Sequence, residues 1–413
     1  MDPAVAYRED DEVGRRAVDA AVDLLAAGDI DRFALPYIAN RLGVDIADIE
    51  EAWPDRTRLL TAAWTFALGW QGRIPDTGTL AGDLTAFGAA LQHCSQTPEG
   101  RMLLRSSLPV DEAADLAKVR RQFWTVQFDA AAAIIARAVD RGELPDVCEP
   151  LGLMQMFCSA AFFDTLYLDS PTPPGYLESL VDVFLYGVAR QPPDDLAELR
   201  RQVWAAMDAN PTDDLGKVRP APNYAHATSA QIRQAILDAT IGETTARGAG
   251  LVTRSGIARR VGVPVHVVER MWTSDADLLL DAGARARRRT RPLPDTGSLR
   301  DDVLAFTDAK ATLIATADAR AHFLSALVRQ PGARNTAILI AFWAAGLRES
   351  TQMALRAQER GELRDGVNPD HATRVLVASL YYDLFFDDAP MRPGYALLVL
   401  TVFLGGAAAF SSA

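Results

Sequence analysis

The sequence predicts an all-α protein built from two tandem copies of one helical unit. Apolar residues recur at three-and-four spacing, and no convincing alternating stretch of β-branched residues interrupts them. The segment IPDTGTLAGDLTAF from Ile74 returns as LPDTGSLRDDVLAF from Leu293, and Trp53 and Trp272 lie at the same offset of 219 positions. RGELPD from Arg141 returns as RGELRD at that offset too. A repeat that keeps one register over such a length indicates duplication of a whole domain.

Each copy opens with a predicted helix-turn-helix (HTH) domain. In the first copy one helix runs from Arg15 to Ala27 and a second from Leu35 to Leu42, and a glycine follows each of them. Asp45 suits the N-cap of a third, short helix, and Pro54 marks the end of that helix. Two short helices joined by a tight turn and braced by another helix form the HTH pattern. The second helix of that pattern is the recognition helix, which enters the major groove of DNA.

These positions resemble the TetR family of transcriptional regulators. The matching residues of the first copy are Ile38, Ala39, Leu42, Gly43, Val44, Ile49, Trp53, Pro54, Arg56, Leu59 and Leu60, and those of the second are Ile257, Ala258, Val261, Gly262, Val263, Val268, Trp272, Leu278 and Leu279. Downstream, TPEGRMLLRSSL from Thr97 and PPGYLESLVDVFLYGVA from Pro173 look like the family's effector domain. The resemblance implies that each copy is a three-helix HTH domain followed by a helical effector and dimerisation domain.

The repeat and its proline-rich junctions predict the domain boundaries. The HTH domains are expected at 1–72 and 226–291, the effector domains at 73–190 and 292–413, and a linker at 191–225 with one short helix at about 196–206. In the family, the last two helices pair with those of a partner as a four-helix bundle. The resemblance therefore implies an intramolecular pseudo-dimer, with helices near 151–190 against those near 367–410. The apolar last helix would also allow two chains to pair as a homodimer.

Charge separates the two copies. The net charge of −12 divides into −14 for residues 1–194, −1 for 195–219 and +3 for 220–413. The first recognition helix carries Asp48, Glu50 and Glu51, which would repel DNA, because DNA affinity comes largely from cations that neutralise phosphates. Where the family usually has a phosphate-contacting lysine, the first copy has Arg56 and the second has Asp275. The basic residues around the second recognition helix make that HTH domain the better DNA binder of the two.

DNA contacts are therefore predicted mainly in the second copy. Arginine and hydroxyl groups bind phosphates, and valine side chains can contact thymine methyl groups. Two different HTH domains would favour an asymmetric operator in double-stranded DNA, or leave one half-site without a contact. The predicted contacts are Thr253, Arg254, Val265, His266, Val267 and Arg270 in the second copy, with Ala47 and Arg56 in the first.

Aromatic residues in the predicted effector helices suggest a mostly apolar ligand pocket. At helical spacing such residues more often form the core. The resemblance implies that the pocket takes a small apolar or aromatic effector. Asp164 and Asp383 lie at equivalent positions among the aromatics, where a carboxylate either orients a polar ligand or faces solvent. The candidate lining residues are Phe87, Trp124, Phe128, Phe163, Tyr167, Phe306, Trp343 and Tyr382.

Catalysis, cofactors and metals find little support in the sequence. No lysine follows the glycines of a phosphate loop, and the five histidines show no ligand spacing. Three cysteines fit neither a metal motif nor an even disulfide framework, which favours a reducing cytoplasm. The acidic segment Met1–Arg16 predicts no signal peptide. The apolar segment from Pro393 is expected to be a packed helix rather than a membrane span, because its first-copy twin carries Glu178 and Asp182.

Two functional hypotheses follow from these features. The first is a TetR-like regulator, a repressor whose operator binding weakens when an effector changes the separation of the HTH domains, as the resemblance implies. The second is a TetR-shaped ligand- or partner-binding protein that no longer binds DNA. The carboxylates of the first recognition helix favour the second hypothesis, and the basic residues of the second copy favour the first.

Overall fold

The computed structural model describes residues 12–29, 32–68, 74–107, 114–144, 149–188, 228–247, 252–290, 293–315, 333–387 and 389–407. Within these ranges the chain forms helices joined by turns, with no β-strand, which confirms the all-α prediction.

The helices of the two copies keep the offset of the sequence repeat. In the first copy they are α1 (Glu12–Ala26), α2 (Leu35–Leu42), α3 (Ile46–Ala52), α4 (Arg56–Leu68), α5 (Leu80–Ser95), α6 (Pro98–Ser106), α7 (Ala114–Asp140), α8 (Pro150–Ala161), a π-helix (Asp164–Leu168) and α9 (Tyr176–Val188). In the second copy they are α10 (Ser229–Arg247), α11 (Arg254–Val261), α12 (Val265–Met271), α13 (Asp275–Thr290), α14 (Leu299–Leu313), α15 (Ala333–Glu359), α16 (Pro369–Leu380), α17 (Tyr382–Asp387) and α18 (Pro393–Ala407). The bounds of α2, α3, α7 and α8, each shifted by 219 positions, are the bounds of α11, α12, α15 and α16. The duplicated sequence therefore forms duplicated structure.

Two compact units divide the chain. The first comprises Met1–Pro192, Arg374–Ala389 and Thr401–Ala407, and the second comprises Pro193–Thr373, Pro390–Leu400 and Ala408–Ala413. The first HTH domain therefore belongs to the first unit and the second HTH domain to the second. The helix predicted within the linker lies outside the described residues.

Local sequence signals account for the first HTH domain. α2 has proline in its first turn and ends at Gly43, whose φ of 67° is readily adopted by glycine. The Asp45 side chain accepts a hydrogen bond from the Ala47 amide at 3.0 Å and so caps α3, as the sequence predicts. Trp53 is buried, and its Nε1 donates to the carbonyl of Gly14, which holds the end of α3 on α1.

The second HTH domain has a core of its own in the second unit. The Thr253 hydroxyl accepts from the Gly256 amide at 3.1 Å and caps α11. Trp272 is buried at the end of α12, and its Nε1 donates to Asp281 at 3.1 Å. The two equivalent tryptophans therefore anchor their recognition helices through different acceptors. The core residues include Ile236, Ile257, Val261, Val268, Leu278 and Leu279.

A buried ionic network joins two of the repeated motifs, the PDTG loop and the RGEL turn. Asp83 is fully buried and accepts from the Thr77 amide at 2.6 Å. Its Oδ2 lies 3.7 Å from Arg137 and 3.4 Å from Arg141. Glu143 accepts from the first amide of α5 at 2.7 Å, so it satisfies a donor that the helix leaves open. The same contacts recur in the second copy among Thr296, Asp302, Arg356, Arg360 and Glu362. The two motifs together join the start of α5 to the C-terminal end of α7, and the start of α14 to the C-terminal end of α15.

We expect Asp83→Asn to lower the free energy of unfolding at neutral pH by about 2 kcal/mol, because the hydrogen bonds from Thr77 lose their charge assistance and a buried carboxylate loses its ion pairs with two partly exposed arginines. Burial raises the pKa of Asp83, but the Thr77 hydrogen bonds and the two arginines outweigh it and hold the pKa below the ordinary value of 3.8. With the folded pKa lowered, the contribution is present above the unfolded pKa and is lost as pH falls through the folded one. Denaturant titrations between pH 2 and 7 should therefore show a flatter acid limb for the variant.

Asp76→Asn is the matched control for that experiment. Asp76 lies 3.6 Å from the same Arg137, but its side chain is 62% exposed. An exposed pair of this kind contributes at most about 1 kcal/mol. An equal loss in both variants would contradict the assignment of Asp83 as the centre of the network.

A close helix crossing lies in the first unit, between α9 and the last turns of α18. A Cβ added at Gly187 would lie 2.0 Å from the carbonyl oxygen of Val402. One added at Gly406 would lie 1.9 Å from the carbonyl oxygen of Val183. The two backbones are therefore in direct contact, and glycine is the residue that allows it.

Among the residues that the structure describes, one helical stretch, Pro150–Leu168, is long and apolar enough to cross a membrane by length and composition. Most of it is buried, with 89% of its most apolar window inside the protein, so it is a core helix of the first unit. The apolar segment from Pro393 forms the shorter α18, whose Ala396, Val399 and Leu400 are also fully buried.

Candidate nucleic-acid interface and effector core

The outer face of the first recognition helix is acidic. On α3, Ile49 is fully buried on the inner side, whereas Asp48, Glu50 and Glu51 are exposed. Of the two residues predicted to contact DNA here, Ala47 is exposed on α3 and Arg56 is exposed at the first position of α4. α3 itself thus presents three carboxylates and no cation, a poor surface for a polyanion.

The second recognition helix presents a different face. On α12, Val268 is fully buried on the inner side, and Val265 is 41% exposed. His266 and Arg270 are exposed and Val267 is half-buried. The predicted contacts on α12 therefore lie on its accessible side, where one cation, one imidazole and apolar groups could meet a groove, beside the exposed carboxylate of Glu269.

Two other predicted DNA contacts, Thr253 and Arg254, are engaged within the second HTH domain. Besides capping α11, the Thr253 hydroxyl lies 3.3 Å from the Ser255 hydroxyl. Arg254 Nε donates to Asp275 at 3.0 Å, and its Nη1 donates to the carbonyls of Trp272 and Thr273 at 3.1 and 2.8 Å. The geometry places this arginine toward its own domain, which composition and spacing alone did not indicate.

The aromatic residues predicted to line a pocket are all buried, and several pack on one another in the first unit. Trp124 stacks on Phe128 with ring centroids 5.4 Å apart, and Phe128 meets Tyr382 edge-on at 5.3 Å. Phe163 lies 4.8 Å from Tyr167. Phe87 faces Phe157 in the same unit, whereas Phe306 and Trp343 are buried in the second. The candidate set is therefore divided between two units, and its first-unit members include a residue of the second copy.

A cavity of about 320 Å³ lies elsewhere, within the second HTH domain. Ser229 and Ala230 of α10, Arg233 and Met271 line it, and it is open to solvent. No aromatic residue of the candidate set borders this cavity.

A buried ion pair joins the copies among the aromatics of the first unit. Arg374 on α16 donates to Asp164 on the π-helix, and the side chains are 11% and 2% exposed. The guanidinium carbon also lies 5.7 Å from the centre of the Phe163 ring. Of the two alternatives left open by the sequence, Asp164 does not face solvent. The sequence contained one sign that Arg374 is unusual: the equivalent position in the first copy is the uncharged Gln155, so this cation is specific to the second copy.

In the part of the chain that the structure describes, no three histidine, cysteine, aspartate or glutamate side chains lie close enough together to hold a metal ion. Cys158 is fully buried, and burial raises the pKa of its thiol well above the ordinary value.

Comparison of the sequence with known protein families gives a match in each of the two copies. The family model described as "Tetracyclin repressor-like, C-terminal domain" matches twice, at residues 74–184 and 293–402. The HTH-type transcriptional regulator AqdR of Rhodococcus erythropolis is 30% identical over 129 residues, which are 31% of this chain and 62% of that protein. This chain thus matches somewhat less than two thirds of that relative's length.

Among solved structures, the TetR family transcription regulator SCO0332 is 25% identical, with a TM-score of 0.35, over 43% of this chain and 98% of that one. The family model covers more than half of the sequence, in two copies at the offset of the repeat. The chain belongs to the TetR family of transcriptional regulators and carries the family's C-terminal domain twice.

Proposed function

We propose that the protein is a single-chain transcriptional regulator that binds an asymmetric operator in double-stranded DNA, mainly through its second HTH domain. The observation that carries the proposal is the contrast between the two recognition helices. The exposed side of α3 bears Asp48, Glu50 and Glu51 and no cation, whereas that of α12 bears His266 and Arg270 beside one carboxylate, Glu269. Because phosphate neutralisation supplies most of the affinity for DNA, the two domains cannot contribute equally.

The pseudo-dimer is the second part of the proposal. Within the first unit, the α9–α18 glycine crossing and the Asp164–Arg374 pair join residues of the two copies. We infer that these contacts replace the interface that two separate subunits would form, with the advantage of a high effective concentration. A fused pair also lets the two HTH domains diverge, which a symmetric homodimer does not allow.

The effector is proposed to be a small apolar or aromatic molecule that enters among the buried aromatic residues and weakens operator binding. The aromatic cluster around Trp124 and Phe128 supports this part, because ligand pockets are lined mostly by such side chains with few polar groups. Such a regulator would act in the cytoplasm, where its operator lies.

A selection of bound sequences from random duplex DNA at low salt tests the operator proposal, with the intact chain and Arg270→Ala compared. We expect one enriched asymmetric motif for the intact chain and at least tenfold weaker binding to it by the variant, since the variant loses a cation on the exposed face of α12. Arg58→Ala is the matched control, because Arg58 is an exposed arginine of the first HTH domain, near Asp55.

The alternative function, a ligand- or partner-binding protein without an operator, is favoured by the acidic face of α3. If no sequence is enriched at any salt concentration, the operator proposal fails and this alternative replaces it.

A further inference from the structure

A single side chain in the second HTH domain links α11, the C-terminal end of α12 and the start of α13. Arg254 is the first residue of α11, and its guanidinium donates to the carbonyls of Trp272 and Thr273, which directly follow α12, and to Asp275 at the start of α13. Asp275 also accepts from the Arg254 backbone amide at 2.9 Å. We propose that Arg254 is a positioning residue that fixes the recognition helix α12, and that it contributes no phosphate contact.

α12 is short and has no side-chain cap at its N-terminus, so contacts with the rest of the domain have to hold it in place. The helix has seven residues, fewer than an isolated helix needs to be stable in water. Its N-cap is Pro264, which makes no side-chain hydrogen bond to the first turn. In the first copy, by contrast, Asp45 caps α3. α12 is therefore held by the burial of Val268 and by the contacts at its C-terminal end, where the carbonyl of Trp272 receives Arg254.

The two copies differ at both positions of the Arg254–Asp275 pair. The residues equivalent to Arg254 and Asp275 are Leu35, which is buried, and Arg56, which is exposed. The first HTH domain thus keeps a cation at the start of its fourth helix. In the second domain an acidic residue stands there, with the arginine of α11 bonded to it.

This arrangement separates Arg254 from Arg270 in their effect on DNA binding. The charge of Arg254 is offset by Asp275 at 3.0 Å, and its side chain is 25% exposed. Arg270 is exposed, and within the described ranges no ion pair involves it. A phosphate contact releases counterions and changes the salt dependence of binding, whereas a brace changes the fit of the helix to the groove.

Hydrogen exchange of the full chain tests the brace without DNA. In Arg254→Leu, which places the first-copy residue at this position, we expect the amides of α12 to exchange about tenfold faster, because charge-assisted hydrogen bonds are lost. The amides of α10 should keep their rates, and Arg270→Ala should leave α12 unchanged. Unaltered exchange of α12 in Arg254→Leu would overturn the proposal.

The second measurement rests on the proposed function and uses the operator from the selection and an unrelated duplex. Arg254→Leu should weaken operator binding about tenfold at every salt concentration, with the slope of affinity against salt unchanged and binding to the unrelated duplex unchanged. Arg270→Ala should reduce the slope by about one and weaken both duplexes. A slope reduced by one in Arg254→Leu would identify a phosphate contact and overturn the positioning role. If the intact chain binds no DNA, the proposed function fails, while the exchange result still decides whether Arg254 braces α12.

Discussion

Arg374→Met is expected to lower the free energy of unfolding of the first unit by about 3–5 kcal/mol, the usual cost of removing one member of a buried ion pair. Asp164 is 2% exposed, so the variant would leave a carboxylate inside the protein without this cation. The stacking of the guanidinium near Phe163 would be lost as well. Denaturant unfolding at neutral pH, followed by tryptophan fluorescence, measures the change.

A double-mutant cycle separates the pair from its surroundings. Because apolar residues of similar volume often replace a buried ion pair without loss, Arg374→Met combined with Asp164→Leu should recover most of the stability. Arg58→Met is the control at an exposed pair, since Arg58 and Asp55 are 56% and 54% exposed, and it should change stability by less than about 1 kcal/mol. A loss no larger in Arg374→Met than in this control would falsify the view that the pair holds the two copies together.

Gly406→Ala is expected to cost about 3 kcal/mol, the upper end of the range for overpacking. The added methyl carbon would lie 1.9 Å from the carbonyl oxygen of Val183, and this backbone atom can move only if α9 and α18 separate. Gly187→Ala should cost a similar amount, because its Cβ would lie 2.0 Å from the carbonyl oxygen of Val402. Thermal or denaturant unfolding of each variant measures the loss.

Gly346→Ala provides the matched control for helix propensity. It changes a glycine within α15 whose added Cβ would meet no described atom within 4 Å. Alanine is the better helix former, so this variant should be neutral or more stable by up to about 1 kcal/mol. Equal stability of all three variants would show that α9 and α18 do not require their backbone contact.

The sequence by itself determined the helical class, the duplication and much of the HTH architecture. Periodicity and caps are local, so the Asp45 cap and the glycine that ends α2 could be predicted and are present. The difference in charge between α3 and α12 could also be predicted, because the charged residues of a short helix that packs one apolar residue inward remain on its solvent-facing side. The exposure of Glu50, Glu51 and Arg270 agrees with that expectation.

Only the tertiary structure decided which polar groups meet one another. Arg254 and Asp275 are separated along the chain, and Asp164 and Arg374 lie in different copies, so neither composition nor spacing could pair them. The sequence treated Arg254 as one more cation for DNA, whereas the fold directs it to its own domain. It treated the aromatic residues as a single candidate set, whereas the fold divides them between two units. Contacts of this kind depend on the angle and distance between helices, and long-range packing sets both.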